Sequence, residues 1–161
     1  MLIQFDQLPS EARVWIYTSY VRLTLDQQQI IAQKITDFIT VWESHGKPLK
    51  AAFSIIYDQF VVIGVDESFC TVGGCSTDKL IHLIKEVDEK YQLGLLDHSK
   101  IGYQVNQDIY VDSMSVFKKK IQEKAIDINT YVFSPSISKK NELKDAWLMP
   151  LHQSWLVKYV K

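Results

Sequence analysis

The chain has few cysteines, no excess of charge of either sign and no long hydrophobic run. Cys70 and Cys75 are too few for a disulfide framework, so we expect both thiols to be reduced in the cytoplasm. A net charge of -1 creates no field that would attract nucleic acid or anionic lipid. The longest strongly apolar run, residues 60–65, is shorter than a membrane span, and residues 1–9 lack a signal peptide's apolar segment. The sequence therefore predicts a cytoplasmic protein with neither nucleic acid nor membrane as a partner.

What is present is typical of one globular domain. Hydrophobic residues make up 47% of the chain and charged residues 23%, which are ordinary values for a folded protein. A chain of 161 residues is about one domain long and can bury a core without a disulfide or a structural metal. The two cysteines also lack a second pair at zinc-finger spacing. We therefore predict a single domain over residues 1–161, with no metal and no cofactor.

Hydrophobic spacing predicts two helices in the first hundred residues. The first follows Thr24 and Gln27, which have the spacing of a capping box, and has apolar residues at positions 31, 35, 38 and 42. Gly46, with Pro48 two positions later, is expected to end this helix. The second helix has apolar residues at positions 80, 84, 87 and 91 and is expected to end at Gly94.

Runs of β-branched and aromatic residues predict the strands. The predicted strands are residues 13–20, 51–57, 60–65, 101–105, 109–111 and 131–133, with hairpin turns at residues 58–59 and 106–107. A third helix near residues 114–123 would expose Lys118, Lys119 and Lys120 as a solvated face rather than an RNA-binding patch. This order predicts an α+β fold with both hairpins in one mixed or antiparallel sheet and the helices on one face. The order begins like the ferredoxin-like βαββαβ unit.

The loop between the predicted strand 60–65 and the second helix is the most informative stretch. Gly73 and Gly74 allow the backbone to approach a ligand, and Cys75 or Ser76 is expected at the helix N-cap beside unpaired N–H groups. Such a helix start attracts anions and stabilises a thiolate, which makes Cys75 a candidate catalytic nucleophile. The alternative is that the glycines only shape a loop and Ser76 only caps the helix, as many serines do.

Four further residues belong to the predicted site. His45 is a candidate general acid or base, or else a cap at the negative end of the first helix. Asp78 is a candidate ligand contact, although its charge would compete with a bound anion for the helix dipole. Asp66 and Trp42 are candidate ligand contacts too; in the alternative interpretation Asp66 is a loop charge and Trp42 belongs to the core.

Three motifs occur together: Trp42-x-x-His45-Gly46, the strand 60–65 closed by Asp66-Glu67, and Gly74-Cys75-Ser76-x-Asp78. With these motifs most of the chain resembles a family of short bacterial proteins often labelled "ABC transporter ATPase". The resemblance itself implies no particular reaction. A P-loop needs G-x-x-x-x-G-K-[ST], and in the register of Gly46-Lys47 the chain has Val41 and Pro48 at the required glycine and Ser or Thr positions. We therefore expect no ATPase activity.

Two functions follow from these residues. The first is binding of a small anionic molecule, or thiol chemistry, at residues 73–78 with His45 nearby. The second is a non-catalytic structural or protein-interaction module, which could form a homodimer. A pocket around Cys75 that contains His45 would favour the first, whereas a filled loop and a large apolar dimer surface would favour the second. Whether the protein is an enzyme stays open.

Overall fold

The computed structural model describes residues 1–160, which form two compact units. Unit 1 contains Met1–Leu96 and Ser138–Asn141, and unit 2 contains Asp97–Ile137 and the chain from Glu142 onwards. Helices and antiparallel sheets occur together, so the predicted α+β class is confirmed. Over residues 1–160, no helix is both long enough and apolar enough to cross a membrane.

Unit 1 combines a three-stranded sheet with two long helices. In chain order its elements are β1 (Arg13–Thr18), α1 (Leu25–Val41), β2 (Glu43–Ser44), β3 (Lys47–Pro48), β4 (Lys50–Ile56), β5 (Phe60–Asp66) and α2 (Gly74–Tyr91). The sheet has the order β1-β5-β4, with antiparallel neighbours. Every residue of β5 is buried, which confirms the prediction of a central strand covered on both faces.

Both helices pack on the same face of this sheet, as predicted. Ile35 of α1 and Leu80 of α2 share one core cluster with Ile63 of β5. On the opposite face, the N-terminal segment lies so close that a Cβ atom at Gly64 would be 2.5 Å from Leu8 Cδ1. The absence of a side chain at Gly64 therefore lets this segment cover the second face of the sheet.

Helix α1 begins as predicted but ends earlier. Gln27 N donates to Thr24 Oγ1 at 3.1 Å and Thr24 N donates to Gln27 Oε1 at 3.0 Å, which confirms the capping box. The helix stops at Val41, and the expected end at Gly46 is wrong. His45 and Gly46 have φ values of +52° and +73° and form the two-residue turn that joins β2 to β3. Because this turn requires positive φ at both residues, Gly46 is a hairpin-turn residue and not a helix C-cap.

Unit 2 is a four-stranded antiparallel sheet with short helices. Its elements are β6 (Lys100–Val105), β7 (Asp108–Ser113), α3 (Met114–Gln122), β8 (Tyr131–Phe133), α4 (Glu142–Asp145) and β9 (Leu148–Pro150), and the sheet order is β7-β6-β8-β9. The turn at Asn106 and Gln107, with φ values of +49° and +70°, is as predicted. Phe117 and Ile121 of α3 are buried, also as predicted. The segment Trp155–Tyr159 is a 3-10 helix.

The predicted single sheet is wrong. The hairpin β4–β5 belongs to the sheet of unit 1 and the hairpin β6–β7 to the sheet of unit 2. The ferredoxin-like order is not confirmed, because β6 pairs with β7 and β8. The free edge of β1 is instead met by residues 138–141, where Val14 N donates to Ser138 O at 2.9 Å and Arg13 forms a bridge with Lys139. Residues 138–141 thus occupy the edge of the sheet at which a fourth strand would otherwise pair.

Candidate functional site

The candidate site lies where the β2–β3 hairpin meets the first turn of α2. Ser44, which is buried, holds the two together: Gly73 N donates to Ser44 Oγ at 3.0 Å. The thiol of Cys70 donates to the carbonyl oxygen of Ser44 at 3.4 Å. Cys70 is therefore engaged with the hairpin, and Ser44, which the sequence did not single out, positions both the loop and the helix start.

Trp42 and Ser76 form the second connection between the hairpin and α2. Trp42 Nε1 donates to Ser76 O at 3.0 Å, and Ser76 Oγ donates to Glu43 O at 2.7 Å. The prediction of Cys75 or Ser76 as N-cap is wrong, because the N-cap is Gly73 and no side chain caps the helix. Because the Ser76 hydroxyl donates to the Glu43 carbonyl of the hairpin, it does not cap the helix. Trp42 is buried in the core, beside Trp15 and Phe38.

The first turn of α2 leaves backbone donors without protein acceptors. The first intrahelical bond runs from Thr77 N to Gly73 O at 3.0 Å. Within residues 1–160, the N–H groups of Gly74, Cys75 and Ser76 donate to no acceptor. The first turn also contains no acidic residue. Since free N–H groups and the helix dipole favour negative charge, this turn can bind an anion.

The imidazole of His45 lies beside this turn. A Cβ atom at Gly73 would lie 3.2 Å from His45 Nε2, so a side chain there would crowd the ring. The left-handed backbone of His45 comes from the hairpin turn, and the residue is exposed. The predicted role of His45 as a helix cap is therefore wrong, because the C-cap of α1 is Trp42. The ring lies beside Gly73, while a shared role of His45 and Cys75 stays a prediction. Among the described residues, no hydrogen bond joins His45 to Cys75, which is itself exposed.

The two acidic residues at the end of β5, Asp66 and Glu67, are bonded within the protein. Asp66 is buried and accepts hydrogen bonds from the backbone N–H and the hydroxyl of Ser68, which hold its pKa below the ordinary value. Lys50 Nζ lies 3.7 Å from the same carboxylate. Glu67 Oε1 accepts from Val72 N at 2.8 Å. These contacts shape the loop that leads to Gly73, and they leave little of the Asp66 carboxylate for a ligand.

A groove runs between α1 and α2 next to the first turn. Its volume is about 530 Å³, and it is lined by Phe38, Val41, Trp42, Asp78, Lys79, His82, Leu83 and Glu86. Asp78, the fifth residue of α2, therefore lies on the groove wall beyond the first turn. His82 is exposed and its Nε2 lies 3.4 Å from Glu86 Oε1, as expected for a polar helix face. The groove thus includes Trp42 and Asp78 of the predicted site but neither Cys75 nor His45.

Unit 2 contains a polar cluster that the sequence analysis missed. Lys120 Nζ donates to Tyr103 Oη and to Asp112 Oδ2, at 2.7 Å each, and the Tyr103 hydroxyl donates to Asp112. Burial, and then the bond to Asp112, raise the pKa of Tyr103 to about 12, while the bonds to Asp112 and Tyr103 raise the pKa of Lys120. Lys120 is therefore held by an ion pair, not solvated as predicted. The sequence did contain a signal for this cluster: Asp112 lies two residues after Tyr110 and so on the same face of β7, and Tyr110 pairs with Tyr103.

No group of three or more His, Cys, Asp or Glu residues within residues 1–160 is arranged to hold a metal ion. Comparison of the chain with family models, with curated proteins and with solved structures found no match. The resemblance to the family labelled "ABC transporter ATPase" therefore stays a prediction, and the function has to be argued from the geometry.

Proposed function

We propose that the protein binds a small anionic ligand at the first turn of α2. The observation that carries this proposal is the uncapped turn, in which the N–H groups of Gly74, Cys75 and Ser76 have no acceptor within residues 1–160. An anion at such a helix start is stabilised by direct hydrogen bonds and by the partial positive charge of the helix dipole. A phosphate or carboxylate group is the matching chemistry.

His45 and Gly73 supply the second part of the site. The imidazole lies next to the N-cap, and its ring nitrogen can donate a hydrogen bond to an anion held there. The hydrogen bonds of Ser44 and Trp42 to Gly73 and Ser76 hold the hairpin against the helix, so the turn is organised before a ligand arrives. Preorganisation of this kind lowers the entropic cost of binding. The proposal keeps the expected cytoplasmic location and a small molecule as partner.

Thiol chemistry at Cys75 is the second form of this proposal. Cys75 is exposed in the uncapped turn, where free N–H groups stabilise a thiolate, whereas the thiol of Cys70 is bonded to Ser44. We expect an alkylating reagent to modify Cys75 before Cys70, with Cys75→Ser and Cys70→Ser chains as the two references. Faster modification of Cys70 would contradict this form of the proposal and leave anion binding untouched.

The test of anion binding is a titration with inorganic phosphate followed by amide chemical shifts. We expect saturable shifts at residues 74–76 that weaken as salt is added. The matched variants are Gly74→Glu and Gly74→Gln, since a Cβ atom at Gly74 meets nothing within 4 Å. The glutamate should weaken phosphate binding at least about fivefold through charge repulsion, while the glutamine should change it little. Equal binding by both variants, or shifts spread over the whole chain, would show that the turn is not the site and would favour a non-catalytic interaction module.

A further inference from the structure

The outer strands of the two larger sheets differ in what lies against them. Residues 138–141 lie against β1, and the first residues of the chain lie against β4, where Ile3 N donates to Ala51 O at 2.9 Å. Strand β9 contains Pro150, which has no N–H group to offer to a further strand. Strand β7 has none of these protections, and within residues 1–160 it pairs with β6 alone.

The outer edge of β7 presents the backbone groups of Ile109 and Val111. A two-residue turn joins β6 to β7, so Val105 and Asp108 on either side of it form the first hydrogen-bonded pair. Because such pairs alternate along an antiparallel ladder, the N–H and C=O groups of Ile109 and Val111 point away from β6. These groups have no hydrogen-bond partner within residues 1–160, although Val111 is only 7% exposed. Backbone groups with so little exposure are nearly always paired, and a further strand would pair them.

The residues of β7 are arranged symmetrically about Tyr110. An isoleucine and a valine flank this tyrosine, and an aspartate follows on each side. If a second copy pairs antiparallel with the two-fold axis at Tyr110, Ile109 lies opposite Val111 of the second copy and the two residues exchange both hydrogen bonds. The symmetry repeats this pair, so the open groups of Ile109 and Val111 are all satisfied and apolar side chains lie opposite apolar ones.

The same register extends an aromatic contact. Tyr110 is 43% exposed and stacks on Tyr103, with ring centroids 5.6 Å apart. With Tyr110 on the axis, the tyrosines of the two copies meet across the closer kind of antiparallel pair and continue this stack. Asp108 then lies opposite Asp112 of the second copy, whose charge is compensated by Lys120 at 2.7 Å. An axis through either neighbouring residue would instead place Tyr110 opposite an aspartate.

We infer that β7 is an interface between two copies of this chain, in which the two strands pair antiparallel about Tyr110 and join two four-stranded sheets into one. The partner is a second copy because the pattern of β7 is complementary to itself. The inference goes beyond the proposed anion site, since it uses residues of unit 2 and needs no ligand.

Sedimentation equilibrium of the native chain tests for the dimer. Because one pair of edge strands buries less area than a standard interface, we expect a weak dimer and a useful range of about 10 μM to 1 mM. Ile109→Lys should weaken dimerisation at least about tenfold, since a charged side chain on an edge strand opposes further pairing. Val21→Lys is the matched control: Val21 is 55% exposed and lies in unit 1, so the same added charge should change dimerisation less than about twofold. Asp108→Asn should strengthen the dimer about twofold or more, because it removes one of two opposed carboxylates.

Cross-linking tests the register and gives an answer even if Ile109→Lys does not fold. Tyr110→Cys brings its two thiols together at the axis, within reach of a disulfide, whereas Asp108→Cys leaves its two thiols roughly 13 Å apart along the strands. Both substitutions are made in a chain that also carries Cys70→Ser and Cys75→Ser. Under mild oxidation, Tyr110→Cys should form linked dimers at least about tenfold faster than Asp108→Cys.

The contrary results are equally specific. The inference is overturned if the native chain sediments as a monomer up to about 1 mM, or if Ile109→Lys folds and leaves a dimer intact. Equal rates of cross-linking by the two cysteine variants overturn it as well. A dimer that Val41→Ser dissociates and Ile109→Lys does not would assign the interface to the groove between α1 and α2. None of these outcomes changes phosphate binding at α2, so the inference and the proposed anion site can fail separately.

Discussion

The polar cluster of unit 2 and the first turn of α2 in unit 1 differ in whether their polar groups have hydrogen-bond partners. In unit 2, Tyr103, Asp112 and Lys120 bond one another, and Tyr103 is buried. In unit 1, the first turn of α2 keeps the N–H groups of Gly74 and Cys75 without acceptors and exposed. Donors and acceptors that satisfy one another stabilise a fold, while donors left open at a surface are available to a ligand.

The comparison also shows that a cluster of titratable side chains can have a purely structural role. The raised pKa values of Tyr103 and Lys120 keep the hydroxyl neutral and the ammonium group charged near neutral pH, so neither is suited to act as a base or nucleophile. A cluster of titratable side chains is thus not by itself evidence of catalysis. The open turn of α2 has fewer such groups, yet it is the place where an anion gains hydrogen bonds.

The largest effect on stability is expected from Asp112→Ala. Lys120 and Tyr103 would lose their shared acceptor, so the free energy of unfolding should fall by about 2 kcal/mol in urea denaturation. Phosphate binding at α2 should not change. The control is Glu86→Ala, which removes an exposed carboxylate beside His82 and should cost less than about 0.5 kcal/mol. Equal losses for the two variants would mean that the cluster of unit 2 is not a special source of stability.

Ser44→Ala should have the next largest effect. The N–H group of Gly73 would lose its acceptor, and we expect a loss of about 1.5 kcal/mol in the free energy of unfolding together with weaker phosphate binding. Thr40→Ala is the comparison, since the exposed Thr40 hydroxyl only donates to the carbonyl of Thr36 in the same helix. If both variants unfold at the same urea concentration as the native chain, Ser44 does not organise the site.

Gly74→Glu should convert the open turn from a binding site into a source of stability. A carboxylate in the first turn of a helix interacts favourably with the dipole, so the free energy of unfolding should rise by about 0.5–1 kcal/mol while phosphate binding weakens at least about fivefold. Gly74→Gln isolates the effect of helix propensity, and the difference between the two variants should shrink at high salt. A destabilised Gly74→Glu chain would contradict the description of this turn as uncapped.

The smallest effect is expected from acid, through Asp66. The bonds from Ser68 keep the pKa of Asp66 below its ordinary value of 3.8, so the folded state favours the charged carboxylate. The resulting stability is present above that value and is lost as pH falls through the lower pKa of the folded state. Unfolding measured between pH 5 and about 2 should show this loss in the native chain and a smaller one in Asp66→Asn. An unchanged slope would assign the acid sensitivity to other carboxylates, such as Asp58, whose pKa is also lowered.

The features predicted correctly from the sequence are local ones. The capping box of Thr24 and Gln27, the buried stripe of α1 and the turn at residues 106–107 each depend on residues a few positions apart. Each of these features can be predicted from the residues of a single element, because helix and hairpin periodicities are properties of neighbouring residues. The sequence also identified the segment around Gly73 as the candidate site, since paired glycines before a helix are visible without any tertiary contact.

The sequence by itself determined the α+β class, most elements and the position of the helix start that forms the candidate site. Tertiary structure alone decided the role of each residue there. Trp42 bonds Ser76, Ser44 bonds Gly73, and Ser76 bonds Glu43, across sequence separations of 34, 29 and 33 residues. Those contacts place His45 in a hairpin turn beside the helix and leave Gly73 as an N-cap without a side chain. Periodicity within one element carries no information about such pairings, because they form only when the hairpin and the helix pack together.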